Sequence, residues 1–240
     1  MEKTVKCCAF NFGGAPTKVD AKLSQDEIKN AYDSIAKIYD AWAFLTESRA
    51  RQRALELSGI ENGMRVLEVA VGTGIAFREI VERNAAGFTA GIDLSEGMLR
   101  KAKKKLSRRD TRSYELKTGN ANALSHPSES FDILFNNYMF DLLPFEKMDA
   151  VINEFRRVLK PNGRLVLVNM TAGRSAGSRI YDVAYRLSPK LLGGCRDVEM
   201  VEKLERNGFH VERREYIEQM LFPSEIVIAT KKTLVNSEHQ

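Results

Sequence analysis

The chain has 240 residues, of which 43% are hydrophobic and 29% charged, and its formal net charge is +5. This length and apolar content are enough for one sizeable domain with a core of its own, and the sequence has no apolar run of the length that spans a membrane. The basic balance favours contact with anionic surfaces, without choosing between phospholipid and nucleic acid.

The cysteines and the N-terminal residues bear on the cellular location of the protein and do not indicate a metal site or a disulfide framework. Cys7, Cys8 and Cys195 make no disulfide framework and lack the spacing of zinc ligands, so no metal site is predicted. Residues 1–22 lack the apolar stretch of a signal peptide and predict a flexible arm. We therefore expect a cytoplasmic protein, with peripheral contact to an anionic membrane left open by its charge.

A helical cap is predicted over residues 23–60. Apolar and aromatic residues recur at spacings of four and three on one helical face, and they are Ile28, Tyr32, Ile35, Tyr39 and Trp42. Ser24 is placed to cap this helix, which is expected to end at about Leu57.

Strands and helices then alternate. The predicted strands are Arg65–Ala70, Phe88–Ile92, Ser113–Lys117, Phe131–Phe135 and Arg164–Val168. The predicted helices are Ile75–Arg83, a basic helix capped by Ser95, and Phe145–Leu159, which the segment from Lys160 to Gly163 is expected to stop. Such alternation predicts an α/β fold with a largely parallel, doubly wound, Rossmann-like sheet.

In the C-terminal part of the sequence the predicted strands and helices no longer alternate. Helices are predicted over Ser178–Leu192 and Val198–Asn207, followed by two closely spaced strands, Phe209–Tyr216 and Glu225–Thr230. A short connection between two strands favours an antiparallel hairpin, here at one edge of a sheet of seven strands.

The most informative segment is the glycine turn after the first strand. Gly72 and Gly74 place backbone N–H groups against a ligand at a helix N-terminus, but the third glycine of a dinucleotide site is missing. Glu68, two residues before the turn, would repel a pyrophosphate and attract a cation. Asp93 follows Gly74 by 19 residues and is placed to accept ribose hydroxyls. The two acids together favour a cationic, phosphate-free nucleoside cofactor, S-adenosylmethionine.

Four motifs in order carry a family resemblance: VLEVAVGTG, GIDLS, FDILFNNYMFDLLP and RRVLKPNGRLVLV. They resemble the motifs of the class I S-adenosylmethionine-dependent methyltransferases. Within that superfamily the chain is most similar to the ubiquinone/menaquinone C-methyltransferase (UbiE-like) group and to bacterial phosphatidylethanolamine N-methyltransferases, both of which have a segment similar to YDSIAKIYD.

The resemblance implies a set of cofactor-binding residues at the strand ends and on the N-terminal helix. Glu68 and the two glycines are implied to hold the methionine part and Asp93 the ribose. Leu94 and Met98 would line the adenine pocket, where the amide oxygen of Asn120 would accept from the adenine amino group. The full set is Tyr39, Glu68, Ala70, Gly72, Gly74, Asp93, Leu94, Met98, Asn120, Ala121 and Asn136.

Some of these roles compete with plainer ones. Tyr39 and Met98 lie on apolar helix faces, where core packing explains them equally well. Ala70 stands where the superfamily usually has its first glycine, a departure expected to narrow the loop. Asn136 and Asn137, at the carboxyl end of the fourth strand, are either loop residues or part of the site.

The catalytic hypotheses concern the residues just past the fourth strand. Asn137, Tyr138 and Asp141 are the candidates for polar groups that face the methyl acceptor. Residues 61–240 are assigned to a methyltransferase domain, within which residues 170–208 form a substrate-side insert. An apolar helical stripe in that insert predicts a lid over a lipophilic substrate, an interfacial helix that touches an anionic membrane, or a structural helix that packs on the sheet edge.

The leading functional hypothesis is methyl transfer to a small, lipophilic acceptor: a quinone ring carbon, an aminophospholipid nitrogen or a secondary metabolite. An RNA methyltransferase that uses the basic helix is the second. A nucleic-acid partner is disfavoured, because the chain lacks an appended RNA module and a Pro-Pro-Tyr loop. The third is a cofactor-binding regulatory protein without turnover. Oligomeric state is not predicted.

Overall fold

The structure, a computed structural model, describes residues 40, 43–106, 114–173, 198–220 and 222–233. Helix α1 covers residues 43–57, and Asp40 is also helical. This confirms the C-terminal half of the predicted cap helix. The predicted arm, Tyr39, the three cysteines and the predicted helix Ser178–Leu192 lie outside the described residues.

The alternation of strands and helices is confirmed along the described chain. After α1 the elements follow as β1 (Arg65–Val69), α2 (Ile75–Arg83), β2 (Phe88–Asp93), α3 (Glu96–Leu106), β3 (Tyr114–Thr118), β4 (Phe131–Asn137), a 3₁₀ turn (Phe140–Leu142), α4 (Phe145–Val158), β5 (Leu159–Met170), α5 (Val201–Arg206), β6 (Phe209–Gln219) and β7 (Phe222–Lys231).

These strands form one sheet in the order β3-β2-β1-β4-β5-β7-β6. Neighbours from β3 to β5 are parallel, whereas β7 pairs antiparallel with both β5 and β6. The predicted sheet of seven strands with an antiparallel edge hairpin is therefore confirmed. The chain winds outward from β1 to β3 and then crosses to β4, so the carboxyl ends of β1 and β4 meet at a topological switch point, where open α/β sheets bind ligands.

Helices cover both faces of the sheet. On one face, fully buried α4 residues such as Phe155 and Ile152 pack against β4 and β5, together with Leu204 of α5. On the other, α1 contributes Ala50 and Ala54 to a cluster with the apolar residues of β4, β5 and β7. Burying each large side chain stabilises the fold by about 1.5–3 kcal/mol. The strand ends at the switch point therefore belong to a sheet that is packed on both faces by helices.

The start of β5 differs from the prediction. The strand begins at Leu159, not at Arg164, and its register with β4 shifts between the pair Phe131–Leu159 and the pair Ile133–Arg164. The intervening residues form a bulge in which Asn162 has a φ of 59°. Leu159 is pinned before the bulge because it is fully buried and its carbonyl accepts a hydrogen bond of 2.6 Å from Lys231 Nζ. The expected interruption is therefore present, but inside the strand.

The described residues contain neither a helix long and apolar enough to cross a membrane nor three His, Cys, Asp or Glu residues grouped to hold a metal ion.

Candidate functional site

An open cleft of about 950 Å³, a volume that includes solvent at its mouth, lies at the carboxyl ends of β1, β2 and β4. It takes residues from each strand end and from the loops after β3 and β4. They are Val69, Ala70, Gly72, Ile92, Asp93, Leu94, Ser95, Met98, Gly119, Asn120, Ala121, Asn122, Asn137, Tyr138, Met139, Leu142 and Leu143.

The turn between β1 and α2 has a left-handed backbone at three positions, with φ of 64° at Ala70, 57° at Gly72 and 80° at Gly74. A Cβ at Gly72 would meet no atom within 4 Å, so this glycine is needed for its backbone conformation at the edge of the cleft. A Cβ at Gly74 would lie 2.7 Å from the Cβ of Ala102. Gly74 does not line the cleft, and its role is to let α2 approach α3.

Asp93 ties the glycine turn to the second strand. Its Oδ2 accepts a hydrogen bond of 2.7 Å from the Gly72 N–H, and its Oδ1 accepts one of 2.8 Å from the Ser95 N–H. The carboxylate is partly exposed at the cleft, as a ribose-binding acid must be. The predicted cap is confirmed, because Ser95 Oγ accepts from the Met98 N–H at 3.0 Å.

The predicted adenine side is brought together at the same cleft. Leu94 is 38% exposed, whereas Met98 is almost fully buried beneath it. Asn120 and Ala121 lie opposite, in the loop after β3. The Asn120 Oδ1 already accepts from the Asn122 N–H at 3.0 Å, but a carbonyl oxygen has two lone pairs, and one remains for a ligand.

A smaller cavity of about 380 Å³ adjoins the cleft beneath the glycine turn. Ala70, Gly72, Asn137 and Tyr138 line both spaces. Its remaining wall comes from β1, from the start of α2 and from one face of α1. These residues are Ala43, Glu47, Arg51, Glu68, Val71, Thr73, Ile75 and Ala76.

Glu68 is the buried acid of this cavity, with 1% of its surface exposed. Burial raises its pKa to about 8, although a hydrogen bond of 3.1 Å from Asn137 Nδ2 to Oε1 opposes that rise. Glu68 Oε2 and Asn137 Oδ1 are buried without a hydrogen-bond partner among the described residues. When Glu68 is ionised, both atoms are hydrogen-bond acceptors, and an ammonium group would supply the donor that they lack.

Arg51 is a site residue that the sequence reasoning missed. It is 8% exposed, its Nε has no hydrogen-bond partner among the described residues, and the nearest carboxylate oxygen recorded for it is Glu79 Oε1 at 3.9 Å. A buried guanidinium whose Nε donor is unused fits a carboxylate. The signal was the spacing of four that places Ala43, Glu47 and Arg51 on one face of α1.

The cavity therefore fits the amino-acid end of S-adenosylmethionine. Glu68 and Asn137 would hold the α-ammonium, Arg51 the α-carboxylate and the Gly72 turn the backbone between them. The nucleoside would occupy the cleft, with Asp93 at the ribose and Leu94 at the adenine.

Asn136 and Asp141 do not line the cleft, and Tyr138 lines it with its hydroxyl bonded to the protein. Asn136 is fully buried and its Nδ2 donates to the Val69 carbonyl at 2.9 Å, because neighbouring strand residues point to opposite faces. Asp141 is fully buried in the 3₁₀ turn and lines neither space. Tyr138 lines both, but its hydroxyl lies 2.8 Å from Ser224 Oγ, and burial holds its pKa well above the usual value.

The far end of the cleft is apolar. It is closed by Met139, Leu142 and Leu143, from the segment between β4 and α4. Among the described residues that line the cleft, none is Lys or Arg, and Asp93 is the one carboxylate. This end suits an uncharged, lipophilic group.

Comparisons with known proteins find methyltransferases among the relatives of this chain. Residues 66–163 match a family model described as "Methyltransferase domain". A demethylmenaquinone methyltransferase of Tropheryma whipplei (strain Twist) is 30% identical over 164 residues, 67% of this chain and 66% of that protein. The chain thus spans about two thirds of that relative's length. A ubiquinone/menaquinone biosynthesis C-methyltransferase UbiE of Hydrogenovibrio crunogenus is 28% identical over 76% of this chain and 73% of its own.

Solved structures share the fold. The [4+2]-cyclase SpnF superposes with a TM-score of 0.71 over 88% of this chain and 97% of its own, at 18% identity. A likeness at that identity shows the fold alone.

Proposed function

Since the chain belongs to the S-adenosylmethionine-dependent methyltransferases, we propose that it transfers the methyl group to a ring carbon of a small, lipophilic acceptor of the quinone class. The observation that carries the acceptor class is the apolar wall of Met139, Leu142 and Leu143 beside the polar cavity of Glu68. The names of the two relatives, a demethylmenaquinone methyltransferase and a ubiquinone/menaquinone biosynthesis C-methyltransferase, support an acceptor of the quinone class.

The lack of Lys and Arg in the described lining of the cleft favours a quinone acceptor over RNA and over an aminophospholipid. RNA and an aminophospholipid both carry phosphate, which proteins bind with Lys, Arg or helix N-termini. The described lining of the cleft has no such cation. A reduced quinone, in contrast, needs a flat apolar slot and a few polar atoms at its oxygens, which Asn137 can supply.

The bound cofactor supplies an electrophilic methyl group on a positively charged sulfur. The acceptor ring carbon would take that methyl group and give up its proton, and the cofactor would leave as a neutral thioether. Catalysis then consists mainly of holding the two carbons in near-attack geometry and excluding water. Leu142 and Leu143 orient and desolvate the acceptor, while Glu68 and Asp93 fix the cofactor.

The ring proton needs an acceptor, and few described groups qualify. Asp93 and Tyr138 are the titratable residues in the described lining of the cleft. Asp93 is at the ribose end and the Tyr138 hydroxyl is bonded to Ser224. We therefore propose that the substrate is the reduced hydroquinone, ionised at one oxygen, which makes the ring carbon nucleophilic. After the transfer the ring proton returns through water to that oxygen, so that no residue is needed as its base.

The test is a methyl-transfer assay with cofactor labelled in the methyl group. Separate reactions receive a demethylated hydroquinone with an isoprenoid tail, phosphatidylethanolamine vesicles and total RNA, and products are analysed by mass spectrometry. The expected result is label on the quinone ring carbon. Label on lipid nitrogen or on RNA would overturn the proposal. Cofactor binding without transfer to any of the three would favour a regulatory protein.

A further inference from the structure

Three side chains from separate elements meet beside the glycine turn. The hydroxyl of Thr73, between the two glycines, donates to Asp40 Oδ1 at 2.5 Å and accepts from Lys105 Nζ at 2.9 Å. Lys105, at the end of α3, also lies 2.8 Å from Asp40 Oδ2. Asp40, which is also helical, thus contacts both the glycine turn and the helix that follows β2.

We propose that Asp40 is a positioning residue for the cofactor: through Thr73 and Lys105 it holds the N-terminal helical segment against the glycine turn, and so sets the affinity of the cavity for the amino-acid end of the cofactor. Asp40 lines neither the cleft nor the cavity among the residues described there. Its effect on the cofactor is therefore exerted through its neighbours.

The helical spacing explains how the contact reaches the cavity. In the sequence, Asp40, Ala43, Glu47 and Arg51 recur at intervals of three and four, the spacing of residues that share one helix face. The last three line the cavity. Fixing Asp40 at one end of this face fixes the depth at which Arg51 enters opposite Glu68.

The electrostatics favour a formed contact at neutral pH. Burial raises the pKa of Asp40, but the hydrogen bonds from Lys105 and Thr73 outweigh it and hold that pKa below its usual value. Burial lowers the pKa of Lys105, and Asp40 opposes that change. Thr73 is 2% exposed, so its hydroxyl would lose its partners rather than exchange them for water.

The backbone conformation of the glycine turn explains why the contacts of Thr73 matter for it. Ala70 is held in a left-handed conformation, which is costly for a residue with a Cβ, and the two flexible glycines that follow do not hold it there. Asp93 fixes one side of the turn through the Gly72 N–H, and Thr73 fixes the other. Loss of either support leaves the turn with more conformations in which it does not fit the cofactor.

The test measures cofactor binding by calorimetry, without any acceptor, so its result is independent of the proposed substrate. Asp40→Asn and Thr73→Val are each expected to raise the dissociation constant about 3- to 10-fold, the range for a hydrogen bond to a charged group at a partly exposed site. The double variant should cost less than the product of the two, because both remove one network. At saturating cofactor, kcat of Asp40→Asn should stay within about 2-fold while its KM for the cofactor rises.

A matched control separates positioning from simple loss of stability. Arg53 on the same helix bonds Glu215 of β6 at 2.8 and 3.0 Å, away from the cleft. Arg53→Met should lower the unfolding midpoint but leave the dissociation constant within about 2-fold, whereas the exchange Asp40→Lys with Lys105→Asp should restore part of the affinity. Equal dissociation constants for wild type and Asp40→Asn, or an equal loss in Asp40→Asn and Arg53→Met, would overturn the proposal.

Discussion

The side-chain amide of Asn137 donates a 3.1 Å hydrogen bond to the buried carboxylate of Glu68, across the junction of β4 and β1. This contact satisfies one oxygen of the acid and leaves the other, together with the amide oxygen of Asn137, without a partner among the described residues. A half-satisfied acid at the switch point of the sheet is costly in the free protein and becomes useful when a cation binds.

Glu68→Gln should weaken cofactor binding while preserving the shape of the cavity. The neutral amide loses the attraction for the α-ammonium, and its own N–H groups face that donor. We expect the dissociation constant to rise about 10- to 100-fold, the effect of a hydrogen bond to a charged group. Calorimetry gives the value. Glu79→Gln is the control, because Glu79 is ion-paired with Arg51 but lines neither space, and a loss as large in that variant would contradict the assignment.

Cofactor affinity should also depend on pH through Glu68. Since burial raises the pKa of Glu68 to about 8, the free protein holds a proton there at neutral pH, and binding an ammonium must release it. The dissociation constant should therefore fall as pH rises from about 6 toward 8, by at most about tenfold per pH unit. Titrations across this range should show the slope in the wild type and a flat profile in Glu68→Gln. Equal slopes would contradict the prediction.

The same group makes a prediction for the stability of the cofactor-free protein. The unfolded chain releases the Glu68 proton near its ordinary pKa of 4.5, whereas the folded chain keeps it until about 8. Folding therefore binds a proton between these values, and the Glu68 contribution to the free energy of unfolding decreases as pH rises through this window. Urea denaturation of wild type and Glu68→Gln at pH 5 and pH 8 measures the difference. A gap between the two proteins that does not change with pH would contradict it.

Gly74 and Gly72 should respond differently to the same substitution. Gly74→Ala puts a methyl group 2.7 Å from the Cβ of Ala102, an overpacking that costs about 1–3 kcal/mol of unfolding free energy. Gly72→Ala meets no neighbouring atom, so it should cost about 1–2 kcal/mol for its left-handed backbone and weaken cofactor binding instead. Adding Ala102→Gly should recover part of the loss in Gly74→Ala, and no recovery would argue against the contact.

Tyr138→Phe tests whether that hydroxyl takes part in catalysis. It lies 2.8 Å from Ser224 Oγ, and the centre of the buried Tyr138 ring is 5.8 Å from the centre of the Phe222 ring. Removing it should cost about 1 kcal/mol of unfolding free energy, the net value of a typical hydrogen bond. We expect kcat to stay within about 2-fold. A fall of two orders of magnitude in a stably folded variant would show that the hydroxyl reaches the acceptor.

The parts of the site that could be predicted from sequence are those that local geometry fixes. Gly72 and Asp93 follow directly from the strand ends that carry them, and the cap at Ser95 depends on neighbours within three residues. The roles of Asn136 and Asn137 could not be separated in this way, because adjacent residues of a strand face opposite sides and the register decides which one faces the ligand. The spacing of four assigns Arg51 to one helix face with Ala43 and Glu47, but only the packing of α1 decides that this face meets the cavity, and Asp40 meets Thr73 33 residues away along the chain.

Leu142 should distinguish the acceptor end of the cleft from the cofactor end. It is partly exposed and lines the apolar wall, so Leu142→Asn replaces a lipophilic contact by a polar one without opening the core. Losing about 1.5–3 kcal/mol of apolar contact should raise KM for the hydroquinone about 10-fold or more. Cofactor affinity should not change. Leu94→Asn, at the adenine end, is the matched variant and should raise the cofactor dissociation constant instead. If Leu142→Asn weakened cofactor binding and left the acceptor KM intact, this wall would belong to the cofactor, and the acceptor would have to enter elsewhere.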